Sequence, residues 1–177
     1  MKQRLRAALV ASVFTASAPV AAVDGFSVIG GTGEHADMGA VGLVWNWDKR
    51  WFTEGNWFLG GYWEADASYW RGDGPGGRSI YGLGITPVFR YERLPVNGFA
   101  PYMEAAVGVH VFSSVRLSDD KKMGTAFEFG DHVGLGFRFG EGLKYDLGYR
   151  YQHYSNAGIS DNNGGVNFHQ VRLKLAF

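Results

Sequence analysis

The strongest constraint on this chain is a two-residue rhythm that recurs along nearly its whole length. Tyr81, Leu83, Ile85, Pro87, Phe89 and Tyr91 share one parity, and Gly82, Gly84, Thr86, Val88, Arg90 and Glu92 share the other. Successive side chains of a strand point to opposite faces, so such a run is a strand with one apolar face and one polar or small face. Met103, Ala105, Val107, Val109 and Val111 stand against Tyr102, Glu104, Ala106, Gly108 and His110 in the same way. Glycine-rich or polar turns divide the chain into eight such runs, predicted at about 25–32, 37–47, 56–70, 79–92, 99–113, 126–139, 143–155 and 167–177.

Alternation also suits a soluble sandwich, which turns its apolar faces inward. Three further features favour a membrane barrel. The polar parity carries Glu64, Asp66, Arg90, Glu104, Arg138, Arg150 and Arg172 interleaved with glycine, as suits a narrow barrel interior where charges pair and backbones crowd. Aromatic residues cluster near strand ends at Trp45, Trp47, Trp51, Trp57, Trp63, Tyr69 and Trp70, the pattern of interfacial girdles. The chain ends on Phe177, preceded at two-residue steps by Leu175, Leu173 and Val171, which resembles the C-terminal signal of outer-membrane barrels. The predicted fold is all-β, an eight-stranded antiparallel transmembrane β-barrel located in the cell outer membrane.

The N-terminus reads as a signal peptide over residues 1–22, leaving 23–177 as the barrel. Lys2, Arg4 and Arg6 precede an apolar stretch from Ala7 to Val20, and Val20-Ala21-Ala22 supplies the small residues of a cleavage site. Beyond it no apolar run approaches the ~18 residues of a membrane helix. Cleavage removes three basic residues and no acidic one, so no basic excess points to nucleic acid as a partner. With no cysteine in the chain, disulfides, thiolate–zinc sites and a cysteine nucleophile are excluded. If the termini lie on the periplasmic side, the connections at about 71–78, 114–125 and 156–166 face outward and those at 94–98 and 140–142 are short inner turns.

Chemistry enters at the seventh run. Leu143, Tyr145, Leu147, Tyr149 and Tyr151 alternate with Lys144, Asp146, Gly148, Arg150 and Gln152. Continuing the count places His153 and Ser155 on the apolar face, so a base and a potential nucleophile emerge together toward lipid. Histidine suits the base because its unperturbed pKa is about 6.5. Asn156-Ala157-Gly158 follows at once, an amide side chain and a freely shaped backbone able to aim donors at an oxyanion. The remaining histidines are weaker candidates. His110 and His132 fall on inward parity, His35 is in an outer turn, and His169 shares the outer face with Asn167. No pair has the spacing of a structural metal site.

The segment His153-Tyr154-Ser155-Asn156-Ala157-Gly158, with Asn163 and Gly165 in the turn after it, resembles the active-site segment of the lipid A 3-O-deacylases, outer-membrane enzymes of the acyloxyacyl-hydrolase-like family. Phe127-Glu128-Phe129-Gly130 with Gly134 and Gly136 is similar to that family's sixth strand. The resemblance implies a carboxylic ester hydrolase that removes the acyl chain at the 3 position of lipid A with no metal or cofactor. Lipid A in lipopolysaccharide is then the substrate, and outer-membrane lipids surround the barrel. A homodimer is left open. Ser155 would be the nucleophile and His153 the base, with Asn156 and Gly158 at the oxyanion and Asn163 supporting the loop.

One position departs from the family pattern. Where a glutamate orients the histidine, 14 residues after it, this chain has Asn167. Asn167 falls on the outward parity of the eighth run and can serve as a neutral orienter. Asp131 is a second candidate, a surrogate acid. If the turn at 140–142 pairs Phe139 with Leu143, Asp131 lies opposite Tyr151 and diagonal to His153, roughly 7–8 Å away. A bulge at Gly130 that turns Asp131 inward or into the loop is the favoured placement. Two other functions fit the same barrel: a non-catalytic barrel acting through its outer loops, and a lipid-modifying enzyme resembling the lipid A palmitoyltransferase.

Overall fold

The alternation resolves into strands wherever one parity is apolar and the other is glycine, hydroxyl or charge. A computed structural model describes residues 22–161 and 164–177 of the chain. The strands are β1 (Gly25–Gly33), β2 (Ala36–Asn46), β3 (Trp57–Gly72), β4 (Ser79–Arg93), β5 (Phe99–Phe112), β6 (Phe127–Phe139), β7 (Tyr145–Ser155) and β8 (Val166–Ala176). Each pairs antiparallel with the next, and β1 pairs with β8 from Gly25↔Ala176 to Gly33↔Phe168, closing an eight-stranded barrel without free edges. The expected signal peptide lies outside the described residues except for Ala22, and so does Asn163.

The outer wall is apolar. Val41, Leu83, Val107, Val133, Leu135 and Val171 are all more than half exposed, which in a barrel of this size defines a lipid-facing surface. Inside, charged side chains form one connected network. Glu64 accepts from Arg150 at 2.8 Å and Arg172 at 2.9 Å. Glu104 accepts from Arg90 at 2.8 Å and Arg150 at 2.8 Å, and Arg90 reaches Asp146 at 2.7 Å. Tyr62 accepts from Arg150 at 2.7 Å and donates to Glu104 at 3.1 Å. Pairing of this density offsets the cost of burying each charge. His110 and His132 are interior, with His110 Nε2 3.5 Å from Asp66 and His132 Nε2 3.6 Å from Glu104.

Trp70 departs from its expected place in a girdle. It is fully buried among Phe112, Tyr154 and Phe168 in an apolar plug at the long-loop end of the interior, closed by Leu117 and Met123 from the β5–β6 connection. Its parity explains this, because Trp70 shares the inward face of β3 with Tyr62 and Glu64. At the end that carries the termini the aromatic cluster does form. Trp47 meets Trp51, Trp63 and Phe89 edge-on, and its ring lies over Gly61, where a Cβ would be 2.3 Å from it.

Two further expectations are corrected at the β6–β7 turn. Leu143 belongs to a short 3-10 turn, Glu141–Leu143, and not to β7. Gly140 and Gly142 take positive φ, and so does Leu143 at 56°, so the chain reverses over 140–144 and pairs Phe139 with Tyr145. The sixth strand has no bulge at Gly130, which pairs with Tyr154 in an unbroken ladder.

Candidate active site on the outer wall

β7 continues its alternation to its last residue. Gln152 and Tyr154 are buried in the barrel, while His153 and Ser155 lie half-exposed on the outside, above the exposed Tyr149 and Tyr151. Two residues apart on one strand face, they are separated by about 7 Å along the strand. This is the long-loop end of the barrel, the external end in an outer-membrane barrel.

His153 is flanked across both neighbouring strands. On β8 its direct partner is Asn167, and on β6 it is Asp131. His153 Nδ1–H donates to Asn167 Oδ1 at 2.6 Å, which leaves Nε2 as the acceptor nitrogen. That contact fixes the tautomer and the ring plane of His153 together. Asp131 is neither turned inward nor opposite Tyr151. The longer β6–β7 turn shifts the ladder by two residues and sets Asp131 opposite His153 on the outer wall. His169 is drawn away from the pair, with its Nδ1 2.6 Å from the Tyr149 hydroxyl and its ring against Tyr151.

The loop after β7 begins with a tight turn that Asn156 organises. The Asn156 side chain is fully buried, and its Oδ1 accepts from Gly158 N at 3.0 Å and Ser160 N at 3.5 Å. Ala157 and Gly158 both take positive φ, 52° and 82°. The Gly158 amide is therefore engaged within the turn, and serving an oxyanion requires it to exchange that bond for one to substrate.

Two contributors to the site carry no motif of their own. Gly165 lies against the imidazole, where a Cβ would be 2.4 Å from Cε1 and 3.0 Å from Nε2 of His153. Lys121, from the β5–β6 connection, donates through Nζ to the carbonyls of Gly164 and Gly165 and so ties that backbone down. Partial burial lowers the Lys121 pKa from its ordinary value, and Glu34 acts in the opposite sense. The only sequence trace of the first contact is the Gly164-Gly165 pair, and the second has none.

A depression of about 550 Å³ opens beside this constellation on the outer surface. Phe89, Ala105, Val107, Val133 and Tyr151 line it together with His153 and Asp131. From His153 it runs toward the barrel's mid-height, since Ala105 and Val133 pair one outward step below Val107 and Asp131. A similar depression on the opposite wall, about 440 Å³ between Val41, Leu43, Ala65, Ala67 and Leu83, has no reactive side chain on its outward face.

Fold and site together define an outer-membrane barrel with a serine and a histidine on its lipid-facing wall, beside a mostly apolar depression. The chain belongs to the lipid A 3-O-deacylase (PagL) family, whose model matches residues 36–176. It is 36% identical over 178 residues to the lipid A deacylase PagL of Pseudomonas aeruginosa, covering 99% of both chains. It is also 36% identical over 163 residues to the lipid A deacylase PagL of Bordetella bronchiseptica, covering 86% of this chain and 83% of that one. Among solved structures, that of the outer membrane enzyme PagL superposes with a TM-score of 0.73 at 32% identity, covering 85% of this chain and 99% of that chain.

Proposed function

We propose that this protein is an outer-membrane lipid A 3-O-deacylase that hydrolyses the ester at the 3 position with Ser155 and His153. The observation that carries the reading is the common outward face of these two residues beside a mostly apolar depression. An ester-linked acyl chain stays in the bilayer, and the barrel interior is filled with side chains, so the chemistry belongs on the outer wall. The acyl chain lies in the depression toward the membrane centre, and the sugar lies at the level of the external loops.

In the first step Ser155 Oγ attacks the ester carbonyl while its proton passes to His153 Nε2. The tetrahedral oxyanion is met at the turn of Asn156 and Gly158, where the Gly158 amide exchanges its bond to Asn156 Oδ1 for one to the oxyanion. Collapse releases the sugar hydroxyl, protonated by His153, and leaves an acyl-serine. Water, deprotonated by the same histidine, then frees the fatty acid. Asn167 holds Nδ1 throughout, which keeps Nε2 free for each transfer. Ser155 and His153 share one strand face, which supports a proton transfer between Oγ and Nε2. Catalytic hydrogen bonds of this kind commonly tighten only with substrate in place.

Mass spectrometry of lipid A from cells expressing the wild-type protein or Ser155→Ala tests the reading. The wild type should remove one hydroxyacyl mass and Ser155→Ala none, with both proteins folded in the membrane. An added acyl mass would instead indicate an acyltransferase. No change with folded wild type would indicate a non-catalytic barrel.

A further inference from the structure

Building on the deacylase reading, we propose that Asp131 is a positioning residue that supplies the negative charge His153 needs while it carries the serine proton. The acid has thereby moved from β8, where this chain has Asn167, to β6 on the other side of the imidazole.

The register places it there. Asp131 and Asn167 are the two direct cross-strand partners of His153, and directly opposed residues have Cβ atoms about 4.5–5.5 Å apart. The inward-facing Gln152 reinforces this alignment. Its Nε2 donates to the backbone carbonyls of both Asp131 at 3.1 Å and His153 at 3.3 Å, so the two strands are pinned where the pair sits. Asn167 already occupies Nδ1. Asp131 therefore acts on the ring through its field, not through a hydrogen bond.

The carboxylate is otherwise out of place. Among the described residues, Asp37 is the other carboxylate on the outward face of a strand, and it lies at a strand end paired with Arg71 at 3.0 Å. Asp131 lies within its strand, with Phe129 and Val133 before and after it on the same face and Val107 opposite. An ionisable group against hydrocarbon is costly and marks a function, with a partner to be sought nearby. The facing histidine is that partner, and the apolar walls leave their attraction poorly screened.

The charges balance at each step. The proton leaving Ser155 Oγ makes His153 an imidazolium between Asp131 carboxylate and the Asn167 carbonyl. Its return to the sugar oxygen restores the neutral ring. An amide alone orients the ring but contributes no full charge, and replacing the acid of a serine triad by an amide costs about 10⁴ in turnover.

The test measures kcat and KM on lipid A in mixed micelles for the wild type, Ser155→Ala, Asp131→Asn, Asp131→Leu, Asn167→Glu and the double variant Asp131→Asn/Asn167→Glu. Heat-modifiable migration confirms the folded barrel in each. Both single Asp131 substitutions should lower kcat about 100-fold, part of the triad-acid effect, with KM little changed. The double variant should regain at least a tenth of wild-type kcat, because a carboxylate on β8 restores the charge from the other side. A packing role for Asp131 would give Asn167→Glu the same fold gain in the wild type and in Asp131→Asn, whereas the charge role makes the gain larger in Asp131→Asn. Wild-type kcat in Asp131→Asn with Ser155→Ala inactive overturns the proposal and leaves the deacylase reading standing. So does a loss that Asn167→Glu fails to repair, or a loss confined to KM, which would make Asp131 a substrate contact. An inactive wild type, or an active Ser155→Ala, overturns both.

Discussion

The imidazole of His153 is held by what touches it, and each contact has its own consequence. Asn167 Oδ1 takes the Nδ1 proton at 2.6 Å. Asn167→Ala should lower kcat about fivefold, the loss expected from one orienting hydrogen bond of ~1 kcal/mol. Asn167→Glu should raise kcat, and by less in the wild type than in the Asp131→Asn background, because two carboxylates beside one imidazolium are not additive. Steady-state kinetics of the single and double variants check both. Gly165 acts by having no side chain. The Cβ of Gly165→Ala would stand 2.4 Å from His153 Cε1, so kcat should fall at least tenfold while the barrel's thermal midpoint stays put. A coincident fall in both would place the damage in the fold. Asn167 could be placed from sequence by two-residue steps back from Phe177. Gly165 could not, because its reason lies in a contact between a loop and another strand.

At the scale of elements, strands were readable and their register was not. Strand ends agree with the alternation to within a few residues, since a period of two persists until a turn breaks it. The relative shift of β6 and β7 depends on how many residues the intervening turn consumes. Leu143 at φ 56° gives no sign of itself in composition. That shift moves Asp131 from a diagonal position to one directly opposite His153. The β5–β6 and β7–β8 connections meet through Lys121, whose ammonium bridges the Gly164 and Gly165 carbonyls. Lys121→Met should release the backbone that lies against the imidazole and lower kcat several-fold. Hydrogen exchange should rise at residues 164–166 and remain unchanged in β7. Exchange unaltered at those residues would mean that the loop is held by other contacts.

Across the whole molecule, stability and chemistry occupy opposite faces of one wall. The interior is a buried ion network centred on Glu64, Arg150, Glu104 and Arg90, capped by the Trp70 plug. The site is outside. Glu64→Gln leaves Arg150 and Arg172 short of a carboxylate and should destabilise the barrel by about 3–5 kcal/mol, read by denaturant titration of heat-modifiable folding. Molecules that remain folded should retain wild-type kcat. A fall in kcat of the folded fraction would show that the interior sets the geometry of the outer face. The sequence by itself determined the strand set, the two-faced wall and the outward pairing of His153 with Ser155, because all of these follow from parity along one strand. Only the tertiary structure decided that Asp131 faces His153, and that Gly165 and Lys121 shape the site. Those facts depend on strand register and on meetings between distant loops, and a local period carries no information about either.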